Sequence, residues 1–215
     1  MAMTGRRAPE SLPNGAFWID MDVANESRVL AAFEKLPGRL DVLVNNAGIA
    51  GPSGLITEMT GEQFEETLKV NLTGAFLCAR EAVRLMMPLK RGRIINISSL
   101  AGVRAYSLRT PYASSKWGMV GLTRSLAAEL GPYNIQVNAI CPGAVEGERA
   151  ETVIAKRAAA SGQPVDVVRK MFTDMSALGR FVRPSDIAET VLFLCSPAGE
   201  NITGAALEVA AGAIL

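Results

Sequence analysis

Histidine is absent from all 215 residues, which removes the side chain that most often moves protons near neutral pH and the commonest metal ligand. Only three cysteines occur, Cys78, Cys141 and Cys195, far apart and each within apolar sequence. They read as reduced, buried thiols of a cytoplasmic protein, and no disulfide framework or metal site is expected. No stretch approaches the roughly 18 consecutive apolar residues needed to cross a bilayer, and "MAMTGRRAPESLPNG" has no apolar signal core, so neither membrane nor export is expected. An excess of one charge is lacking too: 22 Lys and Arg face 21 Asp and Glu, which argues against a nucleic-acid partner. No internal repeat is present.

What remains is one domain's worth of chain, residues 1–215, with 49% hydrophobic residues to build its core. Short apolar runs at 16–21, 40–48, 92–99, 134–143 and 205–210 end in small or polar residues and alternate with segments of helical spacing. That alternation predicts parallel strands joined by helical crossovers, buried on both faces. Thr60 and Gln63 form a capping box ahead of a helix over 61–87, and Thr110 with Pro111 opens a second that runs to Gly131. Shorter helices are expected at 148–160, 164–175 and 184–195. Residues 144–183 exceed a minimal crossover and suit a variable lobe covering a substrate, while residues 1–15 are expected to be flexible.

The stretch "SSLAGVRAYSLRTPYASSKWG", residues 98–118, carries the chemistry. Tyr112 and Lys116 are four apart, so a helix puts both side chains on one face. A tyrosine phenol ordinarily titrates near pH 10, and an ammonium a few ångströms away favours the phenolate, which makes the pair suited to proton transfer in a chain without histidine. Ser99 closes an apolar strand, and "NNAG" (45–48) and "CPG" (141–143) close two others. In open parallel sheets, ligands gather at such carboxyl ends.

"NNAG", "VNLTG" (70–74), "GRIINISS" (92–99), "YASSK" (112–116) and "PG" (142–143), in this order and spacing, resemble the short-chain dehydrogenase/reductase family from about residue 16 onward. The resemblance implies a Rossmann-like α/β/α three-layer parallel sheet and an NAD(P)-dependent oxidoreductase that interconverts a secondary alcohol and a ketone. It implies catalytic roles for Ser99, which orients the substrate oxygen, Tyr112, which donates or accepts the proton, Lys116, which assists the tyrosine and holds the nicotinamide ribose, and Asn71, which supports a water relay. For the cofactor, NAD or NADP, it implies Asp22 and Val23 at the adenine, Asn45, Ala47 and Gly48 on the adenosine side, and Pro142, Gly143 and Val145 near the nicotinamide, besides Tyr112 and Lys116. It further implies a homodimer or homotetramer, through the helices at 61–87 and 110–130.

The family opens with a strand, a glycine-rich turn, a helix and a second strand, and none of these is legible ahead of "AFWIDM" (16–21). The fold is therefore expected without its first two strands, with weak or absent cofactor binding. "AFWIDM" is expected to move onto the bare edge at 40–46, or a neighbouring chain to cover that edge, or the first twenty-odd residues to be poorly ordered. Gly147 stands where the family commonly has a threonine, and "VAAG" (209–212) where it has "VDGG". The alternative from another class is a catalytically silent remnant serving as an oligomerisation or regulatory subunit. Arg104 and Arg149 are candidates to favour an anionic substrate.

Overall fold

The computed structural model describes residues 1–213, with every side chain there except those of Arg149, Lys156, Arg157 and Ala160. Four parallel strands form the main sheet in the order β3 (Val42–Asn45), β4 (Gly92–Ile97), β5 (Ile135–Pro142) and β6 (Ala206–Val209). Ile94 lies opposite Leu43 and Val137, and Ile140 opposite Leu207, so the central strands are apolar on both faces.

Helices close both faces. On one, α3 (Gly74–Met86) and α4 (Thr110–Leu130) bury Ala82, Met86, Ala127 and Leu130 against Ile94, Ile135 and Val137. On the other, α7 (Pro184–Cys195) lays Leu194 against Ile95 and Ile140. The result is the expected Rossmann-like three-layer α/β/α arrangement of parallel strands. α7 does not reach β3, whose Val42 and Val44 are 37% and 41% exposed.

A second, two-stranded parallel sheet pairs β1 (Ala2–Gly5) with β2 (Phe17–Asp20). β1 lies within residues 1–15, the segment read from the sequence as flexible. "AMTG" has no alternation to betray it; its strand character comes from its neighbour, with Met1 O accepting from Phe17 N at 3.0 Å and Gly5 O from Met21 N at 2.9 Å. Glycine at position 5 matters because a Cβ there would sit 2.8 Å from the Trp18 ring. β2 pairs with β1 and not with β3, and β3 has no strand on its outer edge among the described residues. The unforeseen helix α1 (Glu26–Phe33), capped by Asn25 Oδ1 accepting from Arg28 N at 3.1 Å, packs Val29 and Ala32 against Ile19, Leu77 and Cys78.

The expected helix over 61–87 forms in two parts. α2 (Gly61–Leu68) starts at the Thr60 and Gln63 capping box, and a π-helical turn at Lys69–Thr73 then widens the backbone before α3. Such π turns are rare and gather at functional positions. The lobe is made by α5 (Glu148–Ser161) and α6 (Val165–Asp174), which bury Ile154, Ala158 and Val168 with Phe172 and Phe181 packed beside them.

Candidate active site

The carboxyl ends of β3, β4 and β5 and the inner faces of α4 and the lobe enclose a cavity of about 540 Å³. Ser99, Tyr112 and Lys116 line it together, as do Gly48, Pro142, Gly143 and Val145. The last turn of β4 sorts the two adjacent serines. Ser98 is 4% exposed, and its Oγ donates to the carbonyl of Lys116 at 3.0 Å. Ser99 Oγ only accepts from Ala101 N at 3.2 Å, so its own proton is uncommitted among these bonds.

Pro at the start of α4 and the 21-residue helix behind it fix Tyr112 and Lys116 one turn apart. Lys116 is 5% exposed, and its Nζ donates to Ile97 O at 2.8 Å and stands 5.8 Å from the Tyr112 ring centroid. The Arg109 guanidinium carbon is 5.2 Å from the same centroid. The phenol ring therefore has two cations within 6 Å of its centre.

Asn71 lies in the π turn, fully buried. Its Nδ2 donates to Ile49 O at 3.0 Å and to Ser115 Oγ at 2.9 Å, while its Oδ1 accepts from Ile49 N at 2.8 Å. These bonds clamp the segment after β3 onto α4. Glycine at 48 leaves the hollow open, because a Cβ there would come 3.2 Å from Asn71 Oδ1 and 3.8 Å from Lys116 Nζ. A flat, uncharged nicotinamide amide suits a slot walled by Gly48, Ile49, Pro142, Gly143 and Val145 with Lys116 at its edge.

The adenosine-side candidates are not gathered in this way. Asn45 is buried, and its Nδ2 donates to Ala75 O at 3.2 Å and to Asn96 Oδ1 at 2.9 Å, so it serves the core. Asp22 Oδ1 accepts from Ala24 N at 3.0 Å, and Val23 packs on α3 so closely that a Cβ at Gly74 would come within 2.8 Å of it. Asp22, Val23 and the exposed Ala47 lie outside the cavity lining.

Of the two arginines proposed for an anion, Arg104 is engaged elsewhere: it pairs with Glu208 at 2.5 Å and donates to Ala213 O at 2.7 Å, and it does not line the cavity. The side chain of Arg149 lies outside the described residues. Two other arginines line the cavity, Arg109 and Arg180, and sequence reasoning passed over both although Arg109 stands three residues before Tyr112. Phe172 and Phe181 were also missed as wall residues, because only packing of the lobe turns them inward.

Burial pushes the Cys78 thiol up to about 12, with the Glu81 carboxylate adding to the effect, and burial also raises Cys141. Neither thiol is poised as a nucleophile. No group of three or more Cys, Asp or Glu able to hold a metal occurs among the described residues, and no described helix is long and apolar enough to cross a membrane.

Known proteins share this sequence and fold. The family model described as enoyl-(acyl carrier protein) reductase matches residues 3–213. A 3-oxoacyl-(acyl-carrier-protein) reductase FabG of Aquifex aeolicus is 36% identical over 200 residues, covering 92% of this chain and 76% of that protein. The fold superposes on an NAD+-bound xylitol dehydrogenase with TM-score 0.86 and 31% identity, covering 92% of this chain and 79% of the other. A variant actinorhodin polyketide ketoreductase with NADPH gives TM-score 0.84 and 34% identity, covering 92% and 77%.

Proposed function

The chain belongs to the short-chain dehydrogenase/reductase family of NAD(P)-dependent oxidoreductases, and from that premise we propose that it interconverts a secondary alcohol and a ketone at the Ser99, Tyr112 and Lys116 end of the cavity. The observation that carries this reading is the convergence of an uncommitted serine hydroxyl, a tyrosine and a buried lysine on one cavity wall.

In the oxidising direction Tyr112 takes the hydroxyl proton as the carbinol carbon gives up its hydrogen with two electrons. In reduction it returns that proton to the carbonyl oxygen. Ser99 Oγ donates a hydrogen bond to the same oxygen and holds it in line with the phenol. Lys116 supplies the positive charge beside the phenol, and Asn71 keeps the segment after β3 locked to α4 at Ser115. Gly48, Pro142, Gly143 and Val145 would hold the nicotinamide, which when bound takes up or supplies the hydride. Arg6 and Arg7 follow the carboxyl end of β1 directly, are exposed and make no ion pair among the described residues. Arginines at such a strand end suit a ribose 2′-phosphate, so NADP(H) is ranked ahead of NAD(H).

Calorimetric titration of NAD, NADH, NADP and NADPH tests this first. Micromolar binding, tighter for the phosphorylated pair, followed by turnover of secondary alcohols, is expected. Binding by none of the four would overturn the oxidoreductase reading for this chain and favour a non-catalytic subunit.

A further inference from the structure

We propose that Arg109 is the specificity residue of this site and that the substrate carries a carboxylate a few bonds from its carbinol carbon. The inference rests on the alcohol–ketone reading above and names its substrate class.

Arg109 is half-buried in the cavity wall, its guanidinium stacked over the ring of Tyr112. Nη2 donates to Ala50 O at 2.7 Å, which fixes the head group, while Nε is shut away from water with no hydrogen-bond partner. No carboxylate lies within ion-pairing distance of it among the described residues, whereas Arg80, Arg104 and Arg183 each hold at least one. A guanidinium taken partly out of water, with one donor orphaned and no counter-charge, is unfavourable by itself. An anion entering the cavity supplies the missing counter-charge, and the terminal nitrogens of the planar guanidinium suit a carboxylate.

Position decides what kind of molecule benefits. Because the guanidinium stacks on the ring whose hydroxyl handles the proton, a carboxylate held there leaves the reacting carbon at Tyr112 only in a short hydroxy acid or keto acid. Arg180 also lines the cavity, exposed and without an ion pair among the described residues, and adds to the positive field. The wall's own carboxylates, Glu146 and Glu148, are exposed where the lobe begins. The competing role for Arg109 is to brace Ala50 against α4 with no part in recognition.

The two roles separate in a comparison of lactate, β-hydroxybutyrate and γ-hydroxyvalerate with their methyl esters, on the unaltered chain and on Arg109→Gln and Arg109→Lys. At least one acid is expected to be preferred over its ester. Arg109→Gln should raise KM about 10- to 100-fold more for that acid than for its ester, the loss of one charge-assisted contact. Arg109→Lys should restore part of the loss. Equal losses on acid and ester, or none on either, would overturn the proposal.

A second readout does not depend on turnover. The nitrogen resonance of Arg109 Nε, assigned by its absence in Arg109→Gln, should shift on titration with an acid of the series and not with its ester. No shift with any acid overturns the proposal. A shift without turnover of any alcohol leaves the anion site standing and removes the oxidoreductase reading instead.

Discussion

Ser98 Oγ donates a 3.0 Å hydrogen bond to the backbone carbonyl of Lys116, tying the end of β4 to the second turn of α4. Adjacent serines thereby acquire different duties. Ser98→Ala should lower stability by about 1 kcal/mol with turnover little changed, whereas Ser99→Ala should lower turnover, with a stability loss no larger than that of Ser98→Ala. Urea denaturation and steady-state kinetics on both variants check this, and the reverse pattern would exchange their roles.

The same junction leaves no room for a methyl group at Gly102. A Cβ there would lie 2.5 Å from Ser98 Oγ and 2.6 Å from the Lys116 carbonyl oxygen, which is backbone and cannot swing away. Gly102→Ala should cost about 1–3 kcal/mol and depress turnover by displacing Lys116, whereas Gly121→Ala, with open space around it, should do neither. Thermal unfolding of the pair measures the difference.

Tyr112→Phe keeps the ring beside Arg109 and Lys116 and removes only the hydroxyl. Turnover should fall by at least about 10²- to 10⁴-fold while the melting temperature and nucleotide affinity stay put. Substantial activity in this variant would remove Tyr112 from the chemistry.

Glu81 offers a pH-dependent test of stability. Burial alone raises a carboxyl's pKa, but the Arg80 and Arg84 guanidiniums, each 2.7 Å away, outweigh it and hold Glu81 below the ordinary carboxylate range. A depressed folded-state value means stability that is present above the unfolded pKa and lost as the pH falls through the folded one. Glu81→Gln should therefore cost about 1–3 kcal/mol at neutral pH, and the gap between the two proteins should close in acid. Denaturation midpoints across that range report it.

The raised pKa values of Cys78 and Cys141 make them unreactive while the protein is folded. Cys195 is raised too, by burial, but is less deeply set. A disulfide reagent at mildly alkaline pH should label Cys195 first, with the other two reached only on unfolding. Peptide mass mapping identifies the order.

The order of elements around the main sheet was written in the chain's local patterning. Apolar runs such as "GRIINISS" are strands because they are buried on both faces, and Tyr112 and Lys116 share a face because helix geometry spaces them four apart. Tyr112 and Lys116 were legible as candidates for the same reason, because one helix carries their relation, whereas Ser99 and Asn71 were named through the family resemblance. Tertiary structure alone decided the rest. β1 exists through the hydrogen bonds of a partner strand, and the π turn at Asn71 through clamping to Ile49 and Ser115. Asn45 was drawn into the core by Asn96, Arg104 was claimed by Glu208, and Arg109 was left without a counter-charge at the cavity. Local spacing fixes which side chains share a face, but which charge finds a partner depends on residues far away in the chain, brought close only when the sheet and helices pack.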